Sequence, residues 1–309
     1  MSRVPRVNLF IETAATFSRS FHVGWRYCLV IEVDTIAGMR AQVAGARREG
    51  QTVGFVPTMG YLHEGHLTLI RRAREESGLV VVSIFVNPTQ FGPGEDFEAY
   101  PRDLERDAAL AEGAGTDVLF YPPVREMYPD GYATYVTVEG MTAKLCGASR
   151  PTHFRGVTTV VAKLFHIVEP DLAFFGEKDH QQLLVIKRMV TDLNLKVTVV
   201  GVPTVREPDG LAMSSRNVYL NGSQRAAAVV LSRSLAAARE AFAAGERDPA
   251  GLAALVRRMI EAEPLAAVDY VEIYSWPDLA DIGRLDRPVL LAVAVRFGRT
   301  RLIDNTVLR

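Results

Sequence analysis

The sequence predicts an α/β protein in which a parallel-sheet domain is followed by a smaller α+β domain. Up to about residue 205, short runs of Val, Ile and Phe alternate with segments of helical spacing, and this alternation indicates right-handed crossovers between parallel strands. After that point two helical segments precede three strand-like runs, a pattern typical of a small antiparallel sheet with helices on one side. We therefore expect one domain over residues 31–205 and a second, lid-like domain over residues 206–309.

The elements of the first domain follow one another in a regular order. The run at 79–86 is rich in Val, Ile and Phe, as in a strand that is covered on both faces. Ligands of such sheets bind beyond the carboxyl ends of the strands, so residues that directly follow strands are candidates for a site. The predicted strands are 53–57, 79–86, 117–121, 171–175 and 196–202, and the predicted helices are the segment after His66, 102–112, 157–168 and 181–193.

The second domain begins with an alanine-rich sequence. One helix is predicted over 223–244 and another over 249–262, since Ala is the strongest helix former. Strands are predicted over 269–274, 289–297 and 301–307. These elements are sufficient for a small domain that closes over a site formed by the first.

The composition is that of an ordinary soluble protein, with 48% hydrophobic and 23% charged residues. A net charge of −1 gives no electrostatic reason to expect nucleic acid or an anionic membrane as a partner. No apolar run approaches the roughly 18 residues that cross a bilayer. The two cysteines, Cys28 and Cys146, are far apart, which argues against a disulfide framework and fits a reducing cytoplasm.

Residues 1–30 differ from the rest of the chain. They carry four arginines against one acid, with scattered Ser and Thr, which is the composition of a transit peptide. Cationic charge also lies on both sides of the short apolar segment 7–11, and no cleavage-type signal follows it. The segment is therefore either a dispensable extension outside the fold or a targeting segment, and neither interpretation gives it chemistry.

The first candidate site is PTMGYLHEGH at 57–66, where a predicted strand ends and a helix begins. His63 and His66 share one face of the helix N-terminus, where backbone N–H groups and the helix dipole favour an anion. Gly60 and Gly65 let a large ligand approach the backbone. A zinc-protease motif needs one more residue between the histidines. The pair thus either stabilises phosphate oxygens or consists of one capping and one packed histidine.

The second candidate is FFGEKDHQQ at 174–182, again at a junction of strand and helix. Lys178 and Gln182 are four residues apart and so are neighbours on a helix. A lysine that follows a strand neutralises a phosphate as a point charge. Asp179 fits a helix N-cap equally well, so the segment is either part of a phosphate site or the start of a capped helix.

The third candidate is MSSRN at 213–217, just past the predicted domain boundary. The hydroxyls of Ser214 and Ser215 and the guanidinium of Arg216 suit a polyphosphate through charge-assisted hydrogen bonds. Ser-Ser-Arg loops are common, so this sequence alone is weak evidence for a site. Its position at the domain junction, after the histidine motif, is what makes it a candidate.

The fourth candidate is FVNPTQF at 85–91, at the end of the most apolar strand. Asn87 and Gln90 offer uncharged donors and acceptors for the hydroxyls and amides of a small polar ligand. Asn87 and Pro88 alternatively serve only to shape a turn. The chain has no Gly-x-x-x-x-Gly-Lys-Ser/Thr and no Gly-x-Gly-x-x-Gly, so P-loop hydrolysis and dinucleotide redox chemistry are not candidate functions.

Taken in order, these motifs resemble those of the pantoate–β-alanine ligases (pantothenate synthetases), which are members of the nucleotidyltransferase superfamily with the His-x-Gly-His signature. The resemblance runs from about residue 33 to the C-terminus, and the His-x-Gly-His sequence alone would indicate only the superfamily. The motifs that carry it are PTMGYLHEGH, SIFVNPTQFGPGEDFEAYPRD, RPTHFRGV, FFGEKDHQQ, VPTVREPDGLAMSSRN and TRLIDN.

The resemblance implies a Rossmann-like N-terminal domain, a smaller C-terminal lid domain and a homodimer. It implies that ATP and pantoate form pantoyl-adenylate and pyrophosphate, and that β-alanine then attacks to give pantothenate and AMP. Magnesium (Mg²⁺) is expected to arrive with ATP and to keep several waters. The sequence does not identify the carboxylate that would bind it.

The resemblance also implies roles for individual residues. His66 matches the position of the family's proton donor, although phosphate stabilisation is the physically plainer role. His63 would help to neutralise the phosphates, and Lys178 and Arg216 would complete the catalytic set. The residues expected to bind ATP are Met59, Gly60, Tyr61, Leu62, His63, Glu64, Gly65, His66, Gly176, Glu177, Lys178, Asp179, Val205, Met213, Ser214, Ser215 and Arg216.

Two other functions fit parts of the pattern. Another adenylyltransferase of the superfamily would share the histidine pair but release a dinucleotide. Gln90 and Gln182 match the family's pantoate-binding glutamines, with Gln90 also near β-alanine, and favour an uncharged polyol acid over a phosphorylated acceptor. A nucleotide-sensing protein without catalysis would not need the histidine pair, Lys178 and Arg216 together. One residue departs from the family pattern, since His180 stands where many members carry Tyr.

Overall fold

The structure is a computed structural model that describes residues 30–309 of the chain. The predicted N-terminal extension, residues 1–30, lies outside the described residues except for its last position. Two sheets organise the rest of the chain, one of six strands and one of three. The prediction of a parallel α/β sheet followed by a small antiparallel sheet is confirmed.

All strands of the first sheet pair in parallel, in the order β1-β4-β3-β2-β5-β6. The five strands predicted in this region are present, with bounds that differ by a few residues. The edge strand β1 was not predicted, because three residues are too short to show a period. The strands are β1 (Ile31–Val33), β2 (Val53–Thr58), β3 (Leu79–Ile84), β4 (Val118–Phe120), β5 (Leu172–Gly176) and β6 (Thr198–Val202).

Helices cover both faces of this sheet. On one face α1, α6 and α7 pack in a buried cluster that includes Phe55 and Val81, and on the other α2 and α3 pack around Val56 and Val82. Neighbouring strand residues thus serve opposite faces, as the strand period of two requires. The helices are α1 (Ile36–Arg48), α2 (Glu64–Glu76), α3 (Leu104–Ala114), α4 (Val124–Met127), α5 (Cys146–Ser149), α6 (His153–Val168) and α7 (His180–Asp192).

The C-terminal part contains three helices within the described residues and an antiparallel sheet in the order β7-β8-β9. The prediction of one helix over 223–244 is wrong, because the chain turns at Ala228 and Val229. Both residues are buried there, at 0% and 4% exposure, so tertiary packing overrides the helix propensity of the alanine-rich sequence. The elements are α8 (Gly222–Ala227), α9 (Val230–Ala243), α10 (Pro249–Glu261), β7 (Ala266–Ser275), β8 (Val289–Phe297) and β9 (Thr300–Leu308).

The C-terminal sheet is covered on both of its faces. Along β9, Leu302 and Leu308 belong to the buried cluster formed with α9 and α10. Ile303 and Val307 pack instead against the cluster that contains α6 and α7 of the first sheet. One face of β9 therefore looks toward the larger sheet, which brings its residues close to the end of β5. Within the described residues, no helix has both the length and the apolar character needed to cross a membrane.

Candidate active site

The candidate site lies where β2 and β5 are neighbours in the parallel sheet. The sheet continues through β3, β4 and β1 on one side and through β6 on the other, so the carboxyl ends of β2 and β5 face a topological switch point. A cavity of about 230 Å³ opens there, and a larger cavity of about 830 Å³ extends toward the C-terminal sheet. The walls of both include Lys178, Asp179, Gln182, Ser214 and Arg216.

The histidine pair caps α2 and faces the smaller cavity at the same time. The Nδ1 atom of His63, the N-cap residue, accepts a hydrogen bond of 3.2 Å from Gly65 N–H. The Nδ1 atom of His66 accepts one of 3.3 Å from His63 N–H. Because both Nδ1 atoms are acceptors, each neutral ring carries its proton on Nε2. Capping uses the Nδ1 atoms and leaves both Nε2 atoms for a ligand, so the two alternatives that the sequence offered do not exclude each other.

The protonation state of the two rings is set by burial and by a nearby cation. Burial and Lys178 lower the pKa of His63 from 6.5 to about 4. Burial, His63 and Lys178 hold the pKa of His66 well below its ordinary value. The ring centroids are only 4.1 Å apart, so a charge on one ring would oppose a charge on the other. Both rings are therefore neutral near pH 7 and offer Nε2–H donors.

The loop before α2 is held in place by a carboxylate that the sequence analysis missed. Gly60 and Tyr61 have positive φ values of 83° and 50°, so the loop needs support. Asp107 on α3, with a side chain that is 1% exposed, accepts hydrogen bonds from Tyr61 N at 2.5 Å and Leu62 N at 2.7 Å. These two bonds fix the direction in which the chain enters α2 and presents His63.

The segment after β5 brings Lys178 to the cavity. Its amine lies 3.7 Å from the carboxylate of Asp179 and is 19% exposed. Asp179 occupies the N-cap position of α7, but within the described residues its side chain makes no capping hydrogen bond. The prediction that Asp179 is the N-cap residue of α7 is therefore correct for its position, but its side chain does not form the capping hydrogen bond in the described residues.

The segment at 213–217 reaches the same cavity from the other side. The Ser215 hydroxyl lies 3.2 Å from the carbonyl oxygen of Tyr61, which joins this segment to the loop before α2. The guanidinium of Arg216 forms two bonds to Asp96, at 2.8 and 2.9 Å. Arg216 is thus already oriented by a carboxylate that the sequence analysis did not single out. Ser214 caps the turn by accepting from Arg216 N at 3.2 Å.

Gln90 is nearly buried and its side chain is held at both ends. Its Oε1 atom accepts from Asn87 Nδ2 at 3.1 Å, and its Nε2 atom lies 3.1 Å from the sulfur of Met59. The backbone carbonyl of Gln90 accepts hydrogen bonds from His153 Nδ1 at 3.0 Å and Arg150 at 3.2 Å. Asn87 therefore does more than shape a turn, because it fixes the orientation of the Gln90 amide.

The structure gathers most of the predicted residues around the smaller cavity. Five of the predicted ATP-binding residues do not line it. Glu64, for example, pairs with Arg71 on the surface of α2, and the side chain of Leu62 is fully buried. Those that line it are Met59, His63, Gly65, His66, Gln90, Gly176, Lys178, Asp179, Gln182, Val205, Met213, Ser214, Ser215 and Arg216. Those that do not are Gly60, Tyr61, Leu62, Glu64 and Glu177.

His180, the departure from the family pattern, forms a contact between the two parts of the chain. Its Nε2 atom accepts a hydrogen bond of 2.9 Å from Trp276 Nε1, and burial lowers its pKa. Its role visible in the structure is therefore to join α7 to the C-terminal part.

Comparison with known proteins gives consistent matches over most of the chain. The family model described as pantoate-beta-alanine ligase matches residues 32–307. A pantothenate synthetase from Pelotomaculum thermopropionicum is 65% identical over 275 residues, which cover 89% of this chain and 98% of the relative. One from Heliobacterium modesticaldum is 64% identical with the same coverage.

Two solved structures extend the comparison to the fold. Pantothenate synthetase from Thermus thermophilus aligns with a TM-score of 0.85 at 53% identity, covering 90% of this chain and 99% of that chain. Pantoate-beta-alanine ligase from Francisella tularensis, complexed with beta-gamma ATP and beta-alanine, aligns with a TM-score of 0.74 at 33% identity, covering 90% and 97%.

The fold and the site together indicate a class of protein. A parallel α/β sheet with a cavity of cations and neutral donors at its switch point is an arrangement suited to an enzyme that acts on an anionic ligand. With a family model that spans nearly all of the described residues, the particular assignment follows. The chain belongs to the pantoate–β-alanine ligase family, and it is a ligase.

Proposed function

We propose that this ligase activates pantoate with ATP as pantoyl-adenylate and then transfers the pantoyl group to β-alanine, giving pantothenate and AMP. The observation that carries the proposal is the group formed by the two Nε2–H donors of His63 and His66 with the amine of Lys178 around one cavity. The relatives named pantothenate synthetase and the ligase structure with ATP and β-alanine support the same reaction.

In the first step, a carboxylate oxygen of pantoate attacks the α-phosphorus of ATP, and the bond to the leaving pyrophosphate breaks. An anion must approach another anion, so the site has to supply positive charge and donors where charge builds. Lys178 and Arg216 supply the charge. His63 and His66 supply neutral Nε2–H groups, which donate hydrogen bonds to phosphate oxygens and keep their protons.

In the second step, the amine of β-alanine attacks the acyl carbon of the adenylate and loses a proton to solvent, and AMP leaves with the electrons of the broken carbon–oxygen bond. We assign Gln90 and Gln182 to pantoate because both line the cavity with uncharged amides, which suit hydroxyl groups. Gln90 is held by Asn87, so its amide has one orientation. A fixed orientation lowers the entropic cost of aligning the reacting carboxylate.

We propose that Mg²⁺ arrives on the triphosphate and keeps most of its water ligands. The residues that the structure describes contain no group of three or more His, Cys, Asp or Glu side chains that could hold a metal ion. Asp179, which is 49% exposed, is a carboxylate beside the cleft that would suit a hard cation or its waters. When bound, the ion would neutralise charge on the phosphate oxygens.

Product analysis tests the proposed reaction. Purified protein is mixed with ATP, Mg²⁺, pantoate and β-alanine, and the products are separated. We expect pantothenate, AMP and pyrophosphate in equal amounts, with pyrophosphate release dependent on pantoate. A dinucleotide product would identify the enzyme instead as an adenylyltransferase of the same superfamily, and ATP binding without turnover would identify a nucleotide sensor.

We also propose the organisation of the whole protein. The two sheets support domains over residues 31–205 and 206–309, and the family resemblance supports a homodimer. The use of only two cysteines supports a cytoplasmic location. Sedimentation equilibrium tests the homodimer, because a mass equal to that of one chain would contradict it.

A further inference from the structure

Strand β9 reaches the candidate site through the side chain of Asn305. Its Nδ2 atom donates hydrogen bonds to the backbone carbonyl of Glu177 at 3.0 Å and to that of Lys178 at 2.8 Å. Asn305 lies on the face of β9 that looks toward the larger sheet, together with Ile303 and Val307. One amide group from the C-terminal sheet therefore bonds two successive carbonyls of the segment that carries Lys178.

The segment that receives these bonds is short. It is a single turn, Glu177–Asp179, placed between β5 and α7. The side chain of Asp179 at the start of α7 makes no capping bond within the described residues. The two bonds from Asn305 therefore add a restraint on the backbone at Lys178 from a strand that is distant in sequence.

The neighbouring residue on β9 fixes the strand against a second part of the site. Asp304, with a side chain that is 2% exposed, accepts two hydrogen bonds from the guanidinium of Arg206, at 2.6 and 2.9 Å. Arg206 also donates to the carbonyl of Gly210 at 3.1 Å. Residues 205–213 form a hairpin in which Arg206 pairs with Ala212, and a bond of 3.0 Å from Met213 N to the carbonyl of Val205 closes it.

The two neighbours on β9 thus hold two loops that face one cavity. The hairpin tied to Asp304 leads directly into Ser214 and Arg216, and the turn tied to Asn305 carries Lys178. Successive residues of a strand point to opposite faces, so one strand can bind two loops that approach it from different sides. The separation between the Lys178 amine and the Arg216 guanidinium then depends on β9.

We propose that Asn305 is a positioning residue for Lys178, and that Asp304 fixes the strand of Asn305 against the hairpin that leads to Arg216. The inference rests on the proposed function of Lys178 at the triphosphate. Asn305 itself touches neither ATP nor pantoate in this assignment. Its effect on the reaction is exerted through the position of the Lys178 backbone.

A double-mutant cycle tests this inference in the full-length protein. The rate of pantoate-dependent pyrophosphate release is measured under single-turnover conditions for wild type, Asn305→Ala, Lys178→Ala and the double variant. We expect Asn305→Ala to lower the rate about 10- to 100-fold, as a misplacement near 1 Å does. In the Lys178→Ala background the same change should lower the rate less than about 3-fold, because the effects of two residues that act as a unit are not additive.

A second readout separates positioning from a general loss of structure. Pantoyl-adenylate supplied directly, together with β-alanine, should be converted by Asn305→Ala at a rate within about 3-fold of wild type, because pyrophosphate has already left. Equal losses in both half-reactions, or multiplicative losses in the cycle, would overturn the inference.

Two further variants keep the test independent of folding. Thr306→Val is the matched control, since Thr306 follows Asn305 on β9 and retains a β-branched side chain; it should keep the wild-type rate. Asn305→Asp preserves the shape but removes the amide donor, so it should reproduce the loss even if the alanine variant is unstable. If Lys178→Ala itself keeps the wild-type rate, the proposed function of Lys178 fails first, and that outcome is distinct from additivity in the cycle.

Discussion

The tautomer of two histidines decides what the candidate site can donate. Both Nδ1 atoms accept backbone hydrogen bonds, so the Nε2–H groups of His63 and His66 are the donors on the cavity side. Low pKa values keep both rings neutral near pH 7. In the proposed reaction, the positive charge beside the triphosphate therefore comes from Lys178 and Arg216, while the neutral imidazoles contribute hydrogen bonds.

Replacing His66 tests this division of roles. We expect His66→Ala to abolish pantoyl-adenylate formation, with a loss of at least about 100-fold, the range seen when one preorganised donor is removed. Pantoate-dependent pyrophosphate release measures the effect, and circular dichroism checks that the fold is intact. His166→Ala is the matched control, because His166 lies exposed in the last turn of α6. Normal pyrophosphate release by the His66 variant would refute the assigned role.

A half-buried histidine outside the predicted set, His153, gives a prediction for pH. Burial and Arg150 lower the pKa of His153 from 6.5 to about 4. Between these two pH values the unfolded chain binds a proton at this residue and the folded chain does not. The free energy of unfolding should therefore fall as pH decreases from about 6.5 to about 4, by up to about 1.4 kcal/mol per pH unit for this residue.

His153→Gln removes this titration and keeps a side-chain donor for the carbonyl of Gln90. The free energy of unfolding, measured with denaturant at a series of pH values, should then fall less steeply with decreasing pH than in wild type. The difference in slope should correspond to about one proton. His63 continues to titrate in the variant, so some acid dependence persists. An unchanged slope would show that His153 is accessible to protons in the folded protein.

At the scale of elements, the spacing between α6 and the turn that carries Gln90 is set by one glycine. A Cβ atom at Gly156 would lie 2.6 Å from the Cα atom of Gln90 and would also overlap the carbonyl of Thr89. The carbonyl of Gly156 in turn accepts a hydrogen bond from Asn87 at 3.1 Å. The helix and the turn therefore approach at backbone distance, which only glycine permits.

We expect Gly156→Ala to shift Gln90, to raise the KM for pantoate and to destabilise the protein by about 1–3 kcal/mol, the usual range for overpacking. Pantoate titration and denaturant unfolding measure the two effects. Gly45→Ala in α1 is the matched control, since a Cβ there meets no atom of the described chain within 4 Å. It should stabilise by about 0.5–1 kcal/mol and leave the KM unchanged. Equal KM values in both variants would contradict the role of Gly156.

Local sequence patterns predicted the helices and strands that carry the site. The prediction failed where the pattern is weak or where tertiary packing overrides it. The strand ends before His63 and Lys178 were predicted because apolar runs and helical spacing are local signals. The first helix, α1, was not predicted, since Gly38 and Gly45 weaken its helical signal. The break between α8 and α9 was missed because burial of Ala228, which depends on tertiary packing, determines it.

The residues that support the site were not predictable from spacing, because their partners are far away in sequence. Asp107 holds a loop 46 positions before it, Asp96 pairs with Arg216 across 120 positions, and Asn305 bonds Lys178 across 127. Single carboxylates and amides of this kind occur throughout any sequence. Only the fold brings each one to its partner, whereas the residues at strand ends were distinguished by their motifs.

At the scale of the whole molecule, the site is assembled from separate parts of the chain. The end of β2 provides the histidines, the end of β5 provides Lys178, and the segment after residue 205 provides Arg216, while β9 holds the last two. An acyl-adenylate reacts with water, so a cleft closed by the C-terminal sheet would protect the intermediate. Such closure follows from the proposed chemistry, and hydrogen exchange of β9 with and without ATP would detect it.

The central claim is that the triphosphate of ATP lies between the histidine pair and the cations brought by the later segments. A crystal structure with pantoate and a non-hydrolysable ATP analogue tests it most directly. We predict phosphate oxygens within hydrogen-bond distance of the Nε2 atoms of His63 and His66 and of the Lys178 amine, with Arg216 beside them. A triphosphate bound away from these groups would contradict the account.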